Sequence, residues 1–319
     1  MKKRSFIKAL GLAASLPVSG AFAQASARPL RIVVSLPAGS AIDFQARLIA
    51  PFLSASLGQP VIVENKAGGK DIIAVMDVVK SEPDGNTLYM GSQSPLAINV
   101  ALVKNLPYDP RRDLTAVAGV SLTNHILIVK SGFPAKTLPE FLAHVKKNPG
   151  KVSVGHATSM VQMEIAAINK LAGTDLLAVP YKGTVAAITD VLGDTLSATL
   201  VDPGNALAQI KGGQMRALGV TSPKRNPLTP DIPAISETLP GYDFSVWTAI
   251  VGPAGMRREV VAKIHAAVDS APKRKEVVEK FAQASTDPFF ITPDDFKAYI
   301  DGETSKWVRL AREANIQPE

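Results

Sequence analysis

The sequence predicts an α/β protein of two lobes, each a mainly parallel sheet flanked by helices. Three observations carry the prediction. From Pro29 onward, short β-rich runs alternate with segments whose apolar residues recur every three or four positions, a pattern that implies parallel strands with helices on both faces. With 319 residues the chain can form one large or two ordinary domains, each with its own core. The chain is also expected to cross between lobes near residues 125–131 and to return near 244–251, leaving a ligand cleft where strand ends and helix starts meet.

Taken in order, strands are expected at residues 30–35, 61–64, 87–91, 126–129, 152–156, 176–179, 198–201, 217–220 and 247–251. Helices are expected at 43–56, 72–80, 137–147, 162–172, 184–192 and 205–212. Local signals agree. Thr137-Leu138-Pro139-Glu140 reads as a capping box with proline at the second helical position, and Gly173 follows a helical run ending Lys170-Leu171-Ala172. Residues 222–241 hold five prolines but also Leu228, Ile232, Ile235 and Leu239, so they read as a long connection packed on a surface. From Glu259 onward the pattern is helical. The domain reading is 29–125 with 247–319 as the first domain and 126–246 as the second.

Hydrophobic residues make up 46% and charged residues 20%, the balance of a globular rather than a disordered chain. Cysteine is absent, which excludes disulfide scaffolds, thiolate zinc sites and cysteine nucleophiles together. The first residues read as a secretory signal. Lys2, Lys3, Arg4 and Lys8 form a cationic start, 9–21 are apolar or small, and Ala21-Phe22-Ala23 supplies a cleavage site after Ala23. Lys3-Arg4-Ser5-Phe6-Ile7-Lys8 also resembles a twin-arginine signal, so both export routes stay open, the general one preferred. Removing four positive residues and no acid lowers the net charge from +7 to +3. That near balance gives no reason to expect a nucleic-acid or lipid partner, and no later run is long enough to span a membrane.

The stretch Val33 to Ala50, VVSLPAGSAIDFQARLIA, is a strand feeding a tight loop that opens a helix. It lacks the lysine of a phosphate loop and the full glycine spacing of a dinucleotide fingerprint. A helix start nonetheless offers unpaired N–H groups and a partial positive charge, which favour a carboxylate without any lysine. Catalytic patterns are missing. The four histidines are scattered: His144 and His265 read as solvated, and His156 ends a strand facing the cleft, as a ligand contact or in a structural role. There is no G-x-S-x-G, and Gly68-Gly69-Lys70 is followed by Asp71 rather than Ser or Thr. Asp43, Glu164, Asp190 and Asp202 have no pairing that sequence alone establishes.

Seven segments in order carry a resemblance. They are Pro37…Gly39…Asp43…Ala46-Arg47; Leu57-Gly58-Gln59-Pro60-Val61-Ile62-Val63-Glu64-Asn65; Pro83-Asp84-Gly85…Thr87-Leu88; Asn105-Leu106-Pro107-Tyr108-Asp109-Pro110; Val179-Pro180-Tyr181-Lys182-Gly183; Ala217-Leu218-Gly219-Val220-Thr221-Ser222; and Gly252-Pro253-Ala254-Gly255. The chain resembles the extracytoplasmic solute receptors of tripartite tricarboxylate transporters, the Bug or TctC family. The resemblance implies a type II periplasmic binding protein with two domains joined by two crossover strands. It also implies a small carboxylate held between closing domains and presented to membrane permease subunits, with no enzymatic activity, cofactor or metal. The implied ligand-binding residues are Pro37, Ala38, Gly39, Ser40, Ala41 and Asp43 in the first loop and Gly155, His156, Ala157, Thr158, Ser159 and Gln162 in the second. Ser92, Gln93, Tyr181, Lys182 and Gly183 would close the sides, with Asp202 reaching the cleft. Asp43 has a second reading, as a helix-start carboxylate paired with Arg47 at i+4.

Departures from the family pattern lie in the loops. Ser40 and Ile42 stand where glycine and threonine are usual, residues 67–73 read AGGKDII, the second loop is about two residues short, and Gln162 replaces a histidine. Ile42, Met160 and Met163 are either core or pocket wall. The expectation is a carboxylate with a more apolar body, aromatic or branched, while Lys70 either meets a second carboxylate or is simply solvated. A sensor feeding a membrane kinase or chemoreceptor would have the same sequence features, and an exported enzyme on this scaffold is a third reading.

Overall fold

The structure, a computed structural model, describes residues 28–313 and 316–318. The signal-peptide reading of residues 1–23 therefore lies outside the described residues.

Strands β1 (Leu30–Val34), β2 (Val61–Asn65), β3 (Thr87–Ser92) and β4 (Leu114–Thr123) precede β5 (Ile126–Lys130), β6 (Ser153–His156), β7 (Leu177–Pro180), β8 (Ala198–Val201) and β9 (Met215–Val220). β10 (Val246–Pro253) and β11 (Asp287–Pro288) follow. One sheet has the order β2-β1-β3-β10-β4-β11 and the other β7-β6-β8-β5-β9. The triplets β2-β1-β3 and β7-β6-β8 are parallel, as strand–helix alternation requires. Both sheets are mixed, because β10 and β5, adjoining the crossings between lobes, insert antiparallel beside β3 and β8. The two sheets thus repeat one topology.

Helices α1 (Ala41–Leu57), α2 (Ile72–Val79), α3 (Asn99–Leu102), α4 (Pro110–Asp113), α5 (Leu138–Lys147), α6 (Ser159–Ala172), α7 (Thr184–Leu192) and α8 (Pro203–Lys211) cover the sheets. α9 (Arg258–Ser270), α10 (Lys275–Gln283) and α11 (Pro293–Glu313) complete them. Gly173 takes the left-handed conformation, φ 61°, that ends α6. The capping box of α5 is half made: Thr137 accepts the Glu140 amide at 3.4 Å, but the Glu140 carboxylate accepts the amide of Lys136 instead.

β4 was not expected from the sequence. Within its LTAVAGVSLT run Gly119 lies under Phe289, whose carbonyl oxygen would be 2.5 Å from an added Cβ. Beside it, Trp247 of β10 and Trp307 of α11 both donate their indole N–H to buried Glu303, at 3.2 and 3.0 Å. The carboxylate satisfies two large buried rings and fixes α11 on the sheet.

Thr221 joins the two crossings. Its amide donates to the carbonyl of His125, and its hydroxyl accepts the His125 amide while donating to the carbonyl of Phe244. The Phe244 amide donates back to the Thr221 carbonyl. All four bonds are 2.8–2.9 Å, and Thr221 is fully buried.

Candidate functional site

The β1–α1 loop is built to present a helix start. Gly39 adopts φ +85°, a conformation costly for any side chain. Its amide donates to Asp43 Oδ2 at 3.0 Å, and Ser40 Oγ accepts the Asp43 amide at 3.3 Å. The amides of Ala41 and Ile42, in that first turn, have no helix carbonyl to bond, and both residues line the cavity described next. Asp43 also accepts from Arg47 Nε and Asn65 Nδ2, each at 2.9 Å. Burial works against its charged form, yet Arg47, the Gly39 amide and Asn65 together hold its carboxyl below the usual range. Its oxygens are thus occupied in holding the loop.

Helix α6 starts the same way from the second lobe, with Thr158 Oγ1 accepting the Val161 amide at 3.3 Å. This first turn is also tied to the first lobe: Ser94 Oγ accepts the Met160 amide at 3.1 Å, and Ser159 donates to Asn99. Asp202 caps α8, accepting both the amide and the side-chain nitrogen of Asn205 at 3.0 and 2.8 Å.

The two helix starts meet at a central cavity of about 50 Å³ between the lobes, lined by Ala41, Ile42, Ser92, Ala157, Thr158 and Asp202 among others. A cavity of about 450 Å³ continues from it on one side past Gly39, Ser40, Asp43 and Asp202. One of about 250 Å³ continues on the other past His156, Ser159, Gln162, Tyr181 and Lys182. Of the residues expected at the site, five stay off these walls. Ala38 is exposed and Pro37 half-exposed beside it, packed against Gly183, where an added Cβ would be 2.9 Å from Pro37 Cγ. Gly155 is closed over by Leu196 and Ala187. Gln93 is fully buried, accepting the Trp247 amide at 3.0 Å and donating to the Ser245 carbonyl, so it braces a crossover.

Several lining residues were not anticipated. Gln45 Oε1 accepts hydroxyl groups from Ser121 and Thr248 at 3.1 and 2.9 Å, and all three are buried. Its signal was a glutamine set within the apolar face of α1. His125 lines the central cavity with its Nδ1 2.9 Å from both oxygens of Glu164, which is wholly buried. Burial opposes the charged form of His125, but the charge and hydrogen bonds of Glu164, with Asp202 adding, outweigh it and raise its pKa. Burial also raises the Glu164 carboxyl, so the pair holds a proton tenaciously. The reading of His144 and His265 as solvated is corrected: both are half-buried, one edge-on to Phe133 and the other 3.0 Å from the Val117 carbonyl.

The loop after β2 is strained. Gly68, Gly69, Lys70 and Asp71 have φ of 116°, 59°, 51° and 73° in succession. The turn drives Asp71 into the protein beneath the 250 Å³ cavity, near Tyr89 and hydrogen-bonded to Ser35. Burial there raises its carboxyl to about 6, against the pull of the Ser35 hydrogen bond. Lys70 and Lys182 line the same cavity.

A family model described as the tripartite tricarboxylate transporter family receptor, TctC, matches residues 45–316. The chain belongs to this family. This TctC family member is 32% identical to Protein BugT of Bordetella pertussis over 98% of its length and 96% of the relative's. Its two-lobed periplasmic binding protein fold is shared with the periplasmic binding protein BugD, at 27% identity and a TM-score of 0.87, over 92% of this chain and 99% of that one. It is also shared with MatC from Rhodopseudomonas palustris with bound malate, at 28% and 0.83 over 89% and 99%. R. palustris Rpa4515 with adipate matches at 26% and 0.88 over 92% and 99%. This TctC receptor is a binding protein rather than an enzyme, and no helix among its described residues is long and apolar enough to cross a membrane.

Proposed function

We propose that this receptor captures a small carboxylate in the central cavity, in the periplasm, and delivers it to the membrane permease subunits of a tripartite transporter. One observation carries the reading: the first turns of α1 and α6, one from each lobe, line the same cavity. The two helix dipoles, together with the first-turn amides of Ala41 and Ile42, favour an anion between the lobes. That relatives were solved with adipate and malate agrees with this. The residues in contact would be those of the loops at Gly39–Ala41 and Ala157–Ser159, with Ser92 and Gln162 beside them.

The body of the ligand is apolar in this reading. Leu36, Ile42, Val161, Leu200 and Val246 line the central cavity, whereas Met160 and Met163 are core residues away from it. Lys70 and Lys182 sit where a second anionic group would reach. Export with cleavage after Ala23 would place the receptor outside the cytoplasm.

A melting screen with benzoate, phenylacetate, isovalerate, adipate and malate tests the proposal, together with mass spectrometry of whatever copurifies. A ligand present at a hundredfold its Kd stabilises by about 2.7 kcal/mol, a shift of several degrees at most. Benzoate, phenylacetate or isovalerate is expected to give the largest shift. A response to malate alone would sink the apolar-bodied ligand, and no response from any of the five would count against carboxylates as a class.

A further inference from the structure

We propose that His125 contacts the captured carboxylate: its Nε2, turned toward the central cavity by the bond Glu164 makes to Nδ1, binds a carboxylate oxygen and takes up a proton with it. The inference rests on the carboxylate reading and adds to the helix starts a residue on the crossover itself.

Geometry carries it. Both Glu164 oxygens are 2.9 Å from Nδ1, so that edge of the ring is committed. The His125 side chain is 12% exposed and lines the central cavity, and with Nδ1 engaged Nε2 is the one polar atom the ring has left for a ligand. The backbone cannot drift, because Thr221 holds both the amide and the carbonyl of His125. The groups facing the ring are Glu164 from α6 and Asp202 from the end of β8, both acidic, with Tyr242 donating to the Glu164 carbonyl behind them.

Charge then decides the role. Among the described residues no lysine or arginine lines the central cavity; Lys70 and Lys182 belong to one flanking cavity, Arg47 and Lys280 to the other. Among the described residues His125 is the one lining residue there that can become a cation. With Nδ1–H donated to Glu164, a neutral ring presents a lone pair at Nε2, which repels a carboxylate. Adding one proton from solvent at Nε2 converts that atom to a charged donor. Binding therefore favours the protonated ring, and affinity must fall as pH rises through the titration of His125 in the free protein. The proton lost from buffer is the proton gained at Nε2, so the step balances.

Calorimetry in two buffers of different ionisation heat tests this, using whichever of the five screened carboxylates raises wild-type melting most. Above the His125 titration, the wild type is expected to take up close to one proton per ligand and to lose about tenfold in affinity per pH unit. His125→Gln is expected to bind about tenfold more weakly near pH 6.5 without proton uptake. Nitrogen NMR of the wild type needs no variant: the His125 Nε2 resonance should move to the protonated position on binding. Unchanged affinity and proton uptake in His125→Gln, or an Nε2 resonance indifferent to ligand, overturns the assignment while leaving the carboxylate reading intact. If none of the five binds wild type, the carboxylate reading falls and the assignment with it.

Discussion

Gly183 meets Pro37 across the cleft so closely that a single added methyl would sit 2.9 Å from the proline ring. The two residues belong to the loops that open α7 and α1, one on each lobe. Gly183 has extended backbone angles, so alanine there is conformationally harmless and acts only through this contact. A rigid ring cannot swing aside, and the lobes would have to part. Gly183→Ala is expected to weaken ligand binding about tenfold while leaving the melting of the ligand-free protein within about 0.5 kcal/mol. Calorimetric Kd values beside ligand-free melting curves check both halves.

Asp71 should cost stability at neutral pH. Its folded pKa lies above the value in an unfolded chain, so folding favours the protonated form. The sidechain's contribution is best below pH ~4 and worsens as pH rises to about 6, after which it is constant. Asn tolerates the left-handed backbone and keeps the shape. Asp71→Asn is expected to be more stable than wild type by about 2 kcal/mol above pH ~7, the gain vanishing near pH ~4. Denaturant midpoints across that range would show it.

Asp43 has the opposite sign. Its carboxyl is held below the usual range, so its contribution is present above pH ~4 and lost as acid protonates it. Asp43→Ala strands Arg47, Asn65 and the Gly39 amide at once and is expected to cost about 2–3 kcal/mol at neutral pH. A double-mutant cycle with Asn65→Ala should show coupling of about 1 kcal/mol, measured by chemical unfolding.

Export is checked directly. The intact mass of protein recovered from the periplasm should correspond to a chain beginning at Gln24, and changing Ala21 and Ala23 to bulky residues should leave the precursor uncut.

The parts of this protein legible in its sequence are those governed by local rules. β1, β3 and β8 are buried on both faces and read as short apolar runs. The loop at 37–41 was recognisable because a glycine turn, a capping serine and a first-turn aspartate stand within five residues of one another. β4 was hidden because small residues interrupt its apolar run, and at Gly119 the reason is Phe289, far along the chain. His125 and Glu164 are 39 residues apart, on a crossing and a helix, and only the folded topology sets one against the other. Gln93 looked like a side wall of the site, but its partners, Ser245 and Trp247, lie more than 150 residues away.

Thr221 makes the connection between the lobes a pinned joint rather than a pair of loose straps. Because one residue fastens the outgoing and returning strands to each other, neither can slide along its neighbour, and the lobes are left mainly one way to part: bending on either side of the pin. Such a joint confines any opening of the lobes mainly to that bending. On the proposed function, differences among bound molecules would register as how far that bending goes, a quantity a permease could read without touching the cargo.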